Sequence, residues 1–210
     1  MNFFGHLVVA RALGVGDDAR LGSMLPDLLP MCGVRPASTS AGVQRGVTLH
    51  HRTDDVFHAA PPFRALEREG RSRLQAAGVR RGPSMAVAHV GVELLLDGVL
   101  ADDDVAVADF QRTVPGSALV DWNSDEARAR YDAMVSRLLA VDVPRVYADP
   151  DHVANALHRM LARRPRLALT DDETDAARTW LHHVRPRVEQ ARVPLTDGIV
   201  PAIRAQFTAA

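Results

Sequence analysis

Three side chains able to bind a metal, His50, Asp54 and His58, recur at every fourth residue of one run. Steps of four stay on nearly one face of an α-helix. Imidazole nitrogen and carboxylate oxygen are donors that borderline divalent ions accept. A second run repeats the step with His89, Glu93 and Asp97. Two such helices packed antiparallel would bring two histidine–carboxylate faces together. A step of four rises about 6 Å, so His50 and Asp54 can share an ion, while His50 and His58, about 12 Å apart in rise, cannot easily do so. The expected metal ligands are therefore His50, Asp54 and His89, converging with Asp27 on one divalent ion. His58 and Glu93 would join that ion or hold a second. By the same arithmetic Asp97 falls at the far rim, or caps Gly98. Without a metal, the first run reads as a polar exposed face and His89–Glu93 as a buried hydrogen-bonded pair.

Asp27 lies between Leu25-Pro26 and Leu28-Leu29. Burying an unpaired carboxylate there would cost several kcal/mol, so it needs a metal or a histidine unless it is an exposed helix cap. His6, in an apolar segment, reads as a hydrogen-bonded core histidine. With His58 it is also a candidate for a catalytic role. An ion held by these groups would acidify water and polarise a phosphoryl oxygen. Arginine would hold the phosphate bidentately, with Arg52 and Arg164 the chosen candidates and Arg163 and Arg166 beside the latter. No P-loop, dinucleotide fingerprint, nucleophile elbow or paired-cysteine zinc pattern is present. The chemistry implied is metal-dependent phosphohydrolysis.

The elements that must position these residues are helical. Asn2 to Leu13 carries an apolar stripe of Phe3, Phe4, Leu7, Val8 and Leu13, with Asn2 as N-cap. Asp17 to Leu29 reads as a short helix or turn broken near Pro26. Gly33 to Ser40 has loop composition. Ala41 to Phe57 forms the central helix, and Phe63 to Ala77 an amphipathic one with its charges in solvent. The helix entered at Gly82-Pro83-Ser84 is almost wholly apolar from Met85 to Leu100 and should be buried. A short helix ends at Thr113, another runs from Ser124 to Val141, and a third from Asp149-Pro150 to Arg163. Asp171 onward is one long helix or two, interrupted near Pro186 and at Pro194–Gly198. No convincing strand alternation appears. The expectation is an all-α fold in a single domain over residues 1–210, with roughly eight to ten helices.

The whole-chain properties narrow the class. A net charge of −1 argues against a nucleic-acid binder. A single cysteine, Cys32, excludes an intrachain disulfide framework and suits a cytoplasmic location. No signal peptide is evident, and apolar runs look far shorter than the roughly 20 residues of a membrane span.

The chain also resembles the acyl-carrier-protein phosphodiesterase family, within the His-Asp phosphohydrolase group. The resemblance rests on Met1-Asn2-Phe3 with His6-Leu7; on Gly22, Leu25 and Asp27; on His50, Arg52, Asp54 and the distal Pro61; and on Met160 to Leu167. It implies a helical enzyme that hydrolyses the phosphodiester joining 4′-phosphopantetheine to a serine of acyl carrier protein. It further implies a divalent metal, manganese foremost with iron, zinc or magnesium as alternatives, held by Asp27, His50, Asp54 and His89. This chain departs from the family pattern where Phe57-His58 replaces Thr-Asp and where Ala88 replaces Asp. Those departures keep two other functions open. One is hydrolysis of a different small phosphorylated metabolite or nucleotide. The other is non-catalytic binding by a helical protein with an altered site.

Overall fold

The structure, a computed structural model, describes residues 1–208. Its α-helices are α1 (Phe3–Ala12), α2 (Asp17–Cys32), α3 (Ala41–Ala59), α4 (Pro61–Ala76), α5 (Arg81–Leu100), α6 (Asp104–Thr113), α7 (Asp125–Ala140), α8 (Pro150–Ala162), α9 (Asp171–Leu195) and α10 (Val200–Thr208). The fold is all-α, as expected. The boundaries follow local chemistry. Ser40, Asp103, Ser124 and Asp149 each accept a backbone N–H at the start of the helix that follows. Pro61 and Pro150 occupy first-turn positions, where a missing N–H costs nothing. Thr170 and Glu173 close a reciprocal capping box on α9, a signal the sequence reading passed over.

Helix α5 is the axis, packed against α1, α4, α8 and α9. Every residue from Gly91 to Leu100 is buried, which explains its lack of a polar face. The expectation that no apolar segment approaches membrane length is corrected here. Helix α5 is long and apolar enough to cross a membrane, although 78% of that span is buried inside the protein. One continuous hydrophobic cluster runs from Met1 to Ile203.

Three other expectations need correction. Gly33 to Ser40 is not wholly loop: β1 (Pro36–Thr39) pairs antiparallel with β2 (Val120–Trp122), with an irregularity between Pro36 and Ser38. These segments are too short to show alternation and pair only because the tertiary fold brings them together. Pro26 does not break α2, nor Pro186 α9. Each proline removes one helical hydrogen bond. Buried residues on both sides, Leu25 and Leu28 in α2 and Val184 and Val188 in α9, hold the helix to the core across it. The interruption at Pro194–Gly198 stands, because α9 ends at Leu195.

Asp97 is neither at a rim nor a cap for Gly98. It is fully buried and accepts the backbone N–H groups of Phe4 at 3.3 Å and Gly5 at 2.8 Å, and the Asn2 amide at 2.6 Å. Asn2 holds the N-cap position without a capping side-chain bond. The cap of α1 is thus supplied by α5, and this fixes the start of the chain on the site.

Helices α2 and α3 cross at unusually close range. A Cβ on Gly46 would stand 2.1 Å from the Ala19 carbonyl oxygen, and one on Gly22 would stand 2.0 Å from that of Val43. Only hydrogen fits between these backbones. Gly46→Ala should therefore force α2 and α3 apart at a cost of about 1–3 kcal/mol or more. For a chain of this size, that corresponds to a fall in melting temperature of about 2–12 °C or more. A melting temperature equal to that of the parent would show that the crossing is not a fixed constraint.

Candidate metal centre

The close crossing sets the first histidine. His50 on α3 is buried, and its Nδ1 donates to the Ser23 carbonyl of α2 at 2.9 Å. A carbonyl only accepts, so the proton sits on Nδ1 and the Nε2 lone pair turns the other way. It faces Asp54 Oδ2 at 3.4 Å, one helical turn on. A histidine whose second nitrogen is anchored in this way has the tautomer a metal ligand requires. His6 of α1 stacks on it, with ring centroids 3.8 Å apart. His6, His50 and Asp54 each offer an atom within 4.8 Å of the others.

His6 Nε2 lies 2.9 Å from the Met1 carbonyl oxygen and 3.2 Å from Asp54 Oδ1. It donates to these acceptors, leaving its buried Nδ1 without a partner. Burial is the main cause that lowers its pKa to about 3, so the ring is neutral. To bind an ion through Nε2, His6 would shift its proton to Nδ1. Asp27 on α2 completes the group from the side. Its buried Oδ2 has no hydrogen-bond partner and stands 4.0 Å from His6 Nε2. Burial chiefly raises its pKa to about 7. An orphaned buried carboxylate oxygen aimed at a histidine pair is what an ion there would satisfy.

A second group lies beside the first. His58 of α3 with His89 and Glu93 of α5 offer atoms within 4.8 Å of one another. Glu93 Oε1 is 3.0 Å from His58 Nε2 and 3.3 Å from His89 Nε2. His89 Nδ1 donates to Glu67 of α4 at 3.2 Å, which again frees Nε2 toward the group. Phe63 walls the pair, its ring centroid 5.3 Å from that of His58 and 5.2 Å from that of His89.

Between the groups sits the Met1 ammonium, 2.8 Å from Asp54 Oδ1, 2.8 Å from Glu93 Oε1 and 3.3 Å from His58 Nε2. Burial would lower its pKa, but Glu93 and Asp54 outweigh that and raise it. Burial alone would raise both carboxyls as well. The histidines and the ammonium reverse this, and Asp54 and Glu93 end far below the usual carboxylate range.

The expected ligand set is thus divided. His50, Asp54 and Asp27 come together, but His89 does not join them: it heads the second group with Glu93 and His58. The reason is geometric: the first group is built on α1, α2 and α3, whereas α5 carries His89 and Glu93 to the other side of the Met1 ammonium, where His58 of α3 meets them. His6 and His58, expected to serve catalysis, stand inside the ligand groups. Met1 and Glu67 were missed, because neither a terminal amine nor a carboxylate on a separate helix leaves a spacing signal. Arg52 lies half-buried on α3 between His50 and Asp54. Arg164 is exposed past the C-terminal end of α8, and its side chain touches neither group among the described residues. Its neighbour Arg166 lies beside Gly82, at the opposite end of α5 from Glu93. Phe57, at a departure from the family pattern, packs into the core on Phe63, and Ala88 lies against Gly70 of α4.

Both freed histidines can hold a proton or an ion. The pKa of His50 is lowered by burial but raised more by Asp54 and Asp27; that of His89 is raised first by Glu93, against burial. In the ion-free protein their ion pairs contribute stability below the unfolded histidine pKa and lose it as pH rises through the raised folded values. Ion binding has the opposite sign, because the ligand must be neutral. The rise in melting temperature on adding manganese chloride should therefore be larger at about pH 8 than at about pH 5.5. An equal rise at both would show that no histidine ligates.

Comparison with curated proteins and with solved structures found no match. The sequence pattern of the family described as acyl carrier protein phosphodiesterase matches residues 1–191. That span contains α1 through most of α9 and every residue of both groups. With nearly the whole chain covered, the protein belongs to the acyl carrier protein phosphodiesterase family.

Proposed function

We propose that this protein removes 4′-phosphopantetheine from holo-acyl carrier protein by hydrolysing its phosphodiester, with a divalent ion held by His50, Asp54, Asp27 and His6. The observation that carries the reading is His50: its Nδ1 is tied to the Ser23 carbonyl, so Nε2 can only serve the group it shares with Asp54. Family membership supports the reaction class and the carrier-protein substrate. The family resemblance favours manganese, with iron, zinc or magnesium as alternatives.

The donor set fits an ion. For bonds of about 2.0–2.2 Å, neighbouring ligand atoms stand about 3.0–3.5 Å apart. The His50–Asp54 approach of 3.4 Å falls in that range. A bound ion would supply Lewis-acid polarisation of a phosphoryl oxygen. The chain's own residues do the rest. An adjacent positive charge would favour the ionised form of Asp27, against the burial that raises its pKa to about 7. Arg52, two residues from both His50 and Asp54 on α3 and so turned about 200° from them, would have to reach round the helix to hold a phosphate oxygen through its planar fork. His6, neutral and buried, would move a proton between Nε2 and Nδ1 as its role changes from donor to ligand.

The direct experiment follows conversion of holo- to apo-carrier protein by mass spectrometry, with release of phosphopantetheine. Asp54→Asn should lower the rate by at least about a hundredfold and reduce metal content with it, since ligand and charge are both lost. Hydrolysis of small phosphate esters, with holo-carrier protein left intact, would assign a metabolite substrate instead. Full activity in the Asn variant would remove this group from catalysis.

A further inference from the structure

The second histidine group is not required by the reading above. From its geometry we propose that His58, His89 and Glu93 form a separate second cation site, taking a borderline divalent ion such as zinc or manganese, with Glu67 as the residue that positions His89. The proposal deepens the hydrolase reading by adding a second ion beside the first, but its ligands are distinct from those of the first.

Three independent observations support it. The donor atoms are spaced as ligands of one ion: 3.0 Å from His58 Nε2 to Glu93 Oε1 and 3.3 Å from His89 Nε2 to the same oxygen. Two imidazoles with a carboxylate form a donor set that zinc accepts while leaving a position open. Next, the supporting residue is built in. Glu67 receives the Nδ1 proton of His89 from a different helix, a carboxylate–histidine pair of the kind that orients metal-ligating imidazole. Finally, the group draws a cation, for the Met1 ammonium is 2.8 Å from Glu93 and 3.3 Å from His58, and a divalent ion on these atoms would displace it. That ammonium touches Asp54 of the first group at the same distance, 2.8 Å. The two carboxylates therefore stand on either side of one cation, and ions in the two groups would be neighbours, as in two-metal phosphoester hydrolases.

The site predicts a stoichiometry. Chelator-stripped full-length protein is titrated with zinc chloride, and in parallel with manganese chloride, by calorimetry. Bound metal is then counted by elemental analysis after gel filtration. The parent should bind two equivalents. His58→Gln and His89→Gln should each retain one, while His50→Gln should lose the other and keep this one. Glu67→Ala changes a half-exposed carboxylate outside the core. It should leave the first equivalent untouched and weaken the second about 10- to 100-fold, with Glu67→Asp restoring part of the affinity. This variant carries the test even if a histidine variant fails to fold. One equivalent in the parent, unchanged by His58→Gln, His89→Gln and Glu67→Ala, would overturn the proposal. So would one equivalent abolished both by His50→Gln and by His89→Gln, which would mean a single shared ion. One equivalent lost in both His58→Gln and His89→Gln but kept in His50→Gln would sustain this site and refute the first.

Discussion

Two carboxylates, Glu93 buried and Asp54 partly so, organise this molecule. They come from α5 and α3 and stand on either side of the Met1 ammonium, and the cost of an unpaired buried charge is several kcal/mol. Each must therefore meet cations or donors, and the available ones come from different helices: His6 from α1, His50 and His58 from α3, His89 from α5, and the Met1 ammonium between them. Satisfying both at once fixes how α1, α3 and α5 dock. Asp97 sits one turn further along α5, where burial raises its pKa to about 8 against the hydrogen bonds it accepts from the backbone N–H groups of Phe4 and Gly5.

The anchoring of the histidines divides the labour between helices. Nε2 of His50 is turned toward its group because α2 supplies the Ser23 carbonyl, and that of His89 because α4 supplies Glu67. Helices other than those that carry the histidines thus determine which ring nitrogen each group is offered. The Gly22–Gly46 crossing belongs to this chemistry, since only backbones at that separation bring the Ser23 carbonyl within reach of α3. Packing density at a glycine pair and the tautomer of a histidine are two consequences of one helix contact.

The step of four was legible in the chain because an α-helix turns each fourth residue onto one face. It identified His50–Asp54 and His89–Glu93 as pairs within their helices, and the apolar run of α5 announced a buried setting that holds for Glu93 but leaves His89 partly exposed. Helix starts at Ser40, Ser124 and Asp149 were equally local, since a cap acts within its own turn. Whatever depends on one segment alone was open to this kind of reading.

Which pairs share a group was not. That depends on how α3 and α5 are set relative to each other through α1 and α4, and on the rotation of each about its axis, quantities set by core packing across the whole domain. The tertiary structure separated His89 from His50, moved His6 from the core into the first group, and placed Asp97 beneath α1 instead of at a rim. It also carried α2 and α9 through prolines that local rules would make into breaks, because buried side chains on either side outweigh one missing hydrogen bond. The pairing of β1 with β2 has the same origin, a contact between distant segments that neither encodes alone. The sequence by itself determined the helices and the donor atoms they carry. Only the tertiary structure decided which donors meet, because a local period fixes direction around one axis and says nothing of the angle between two.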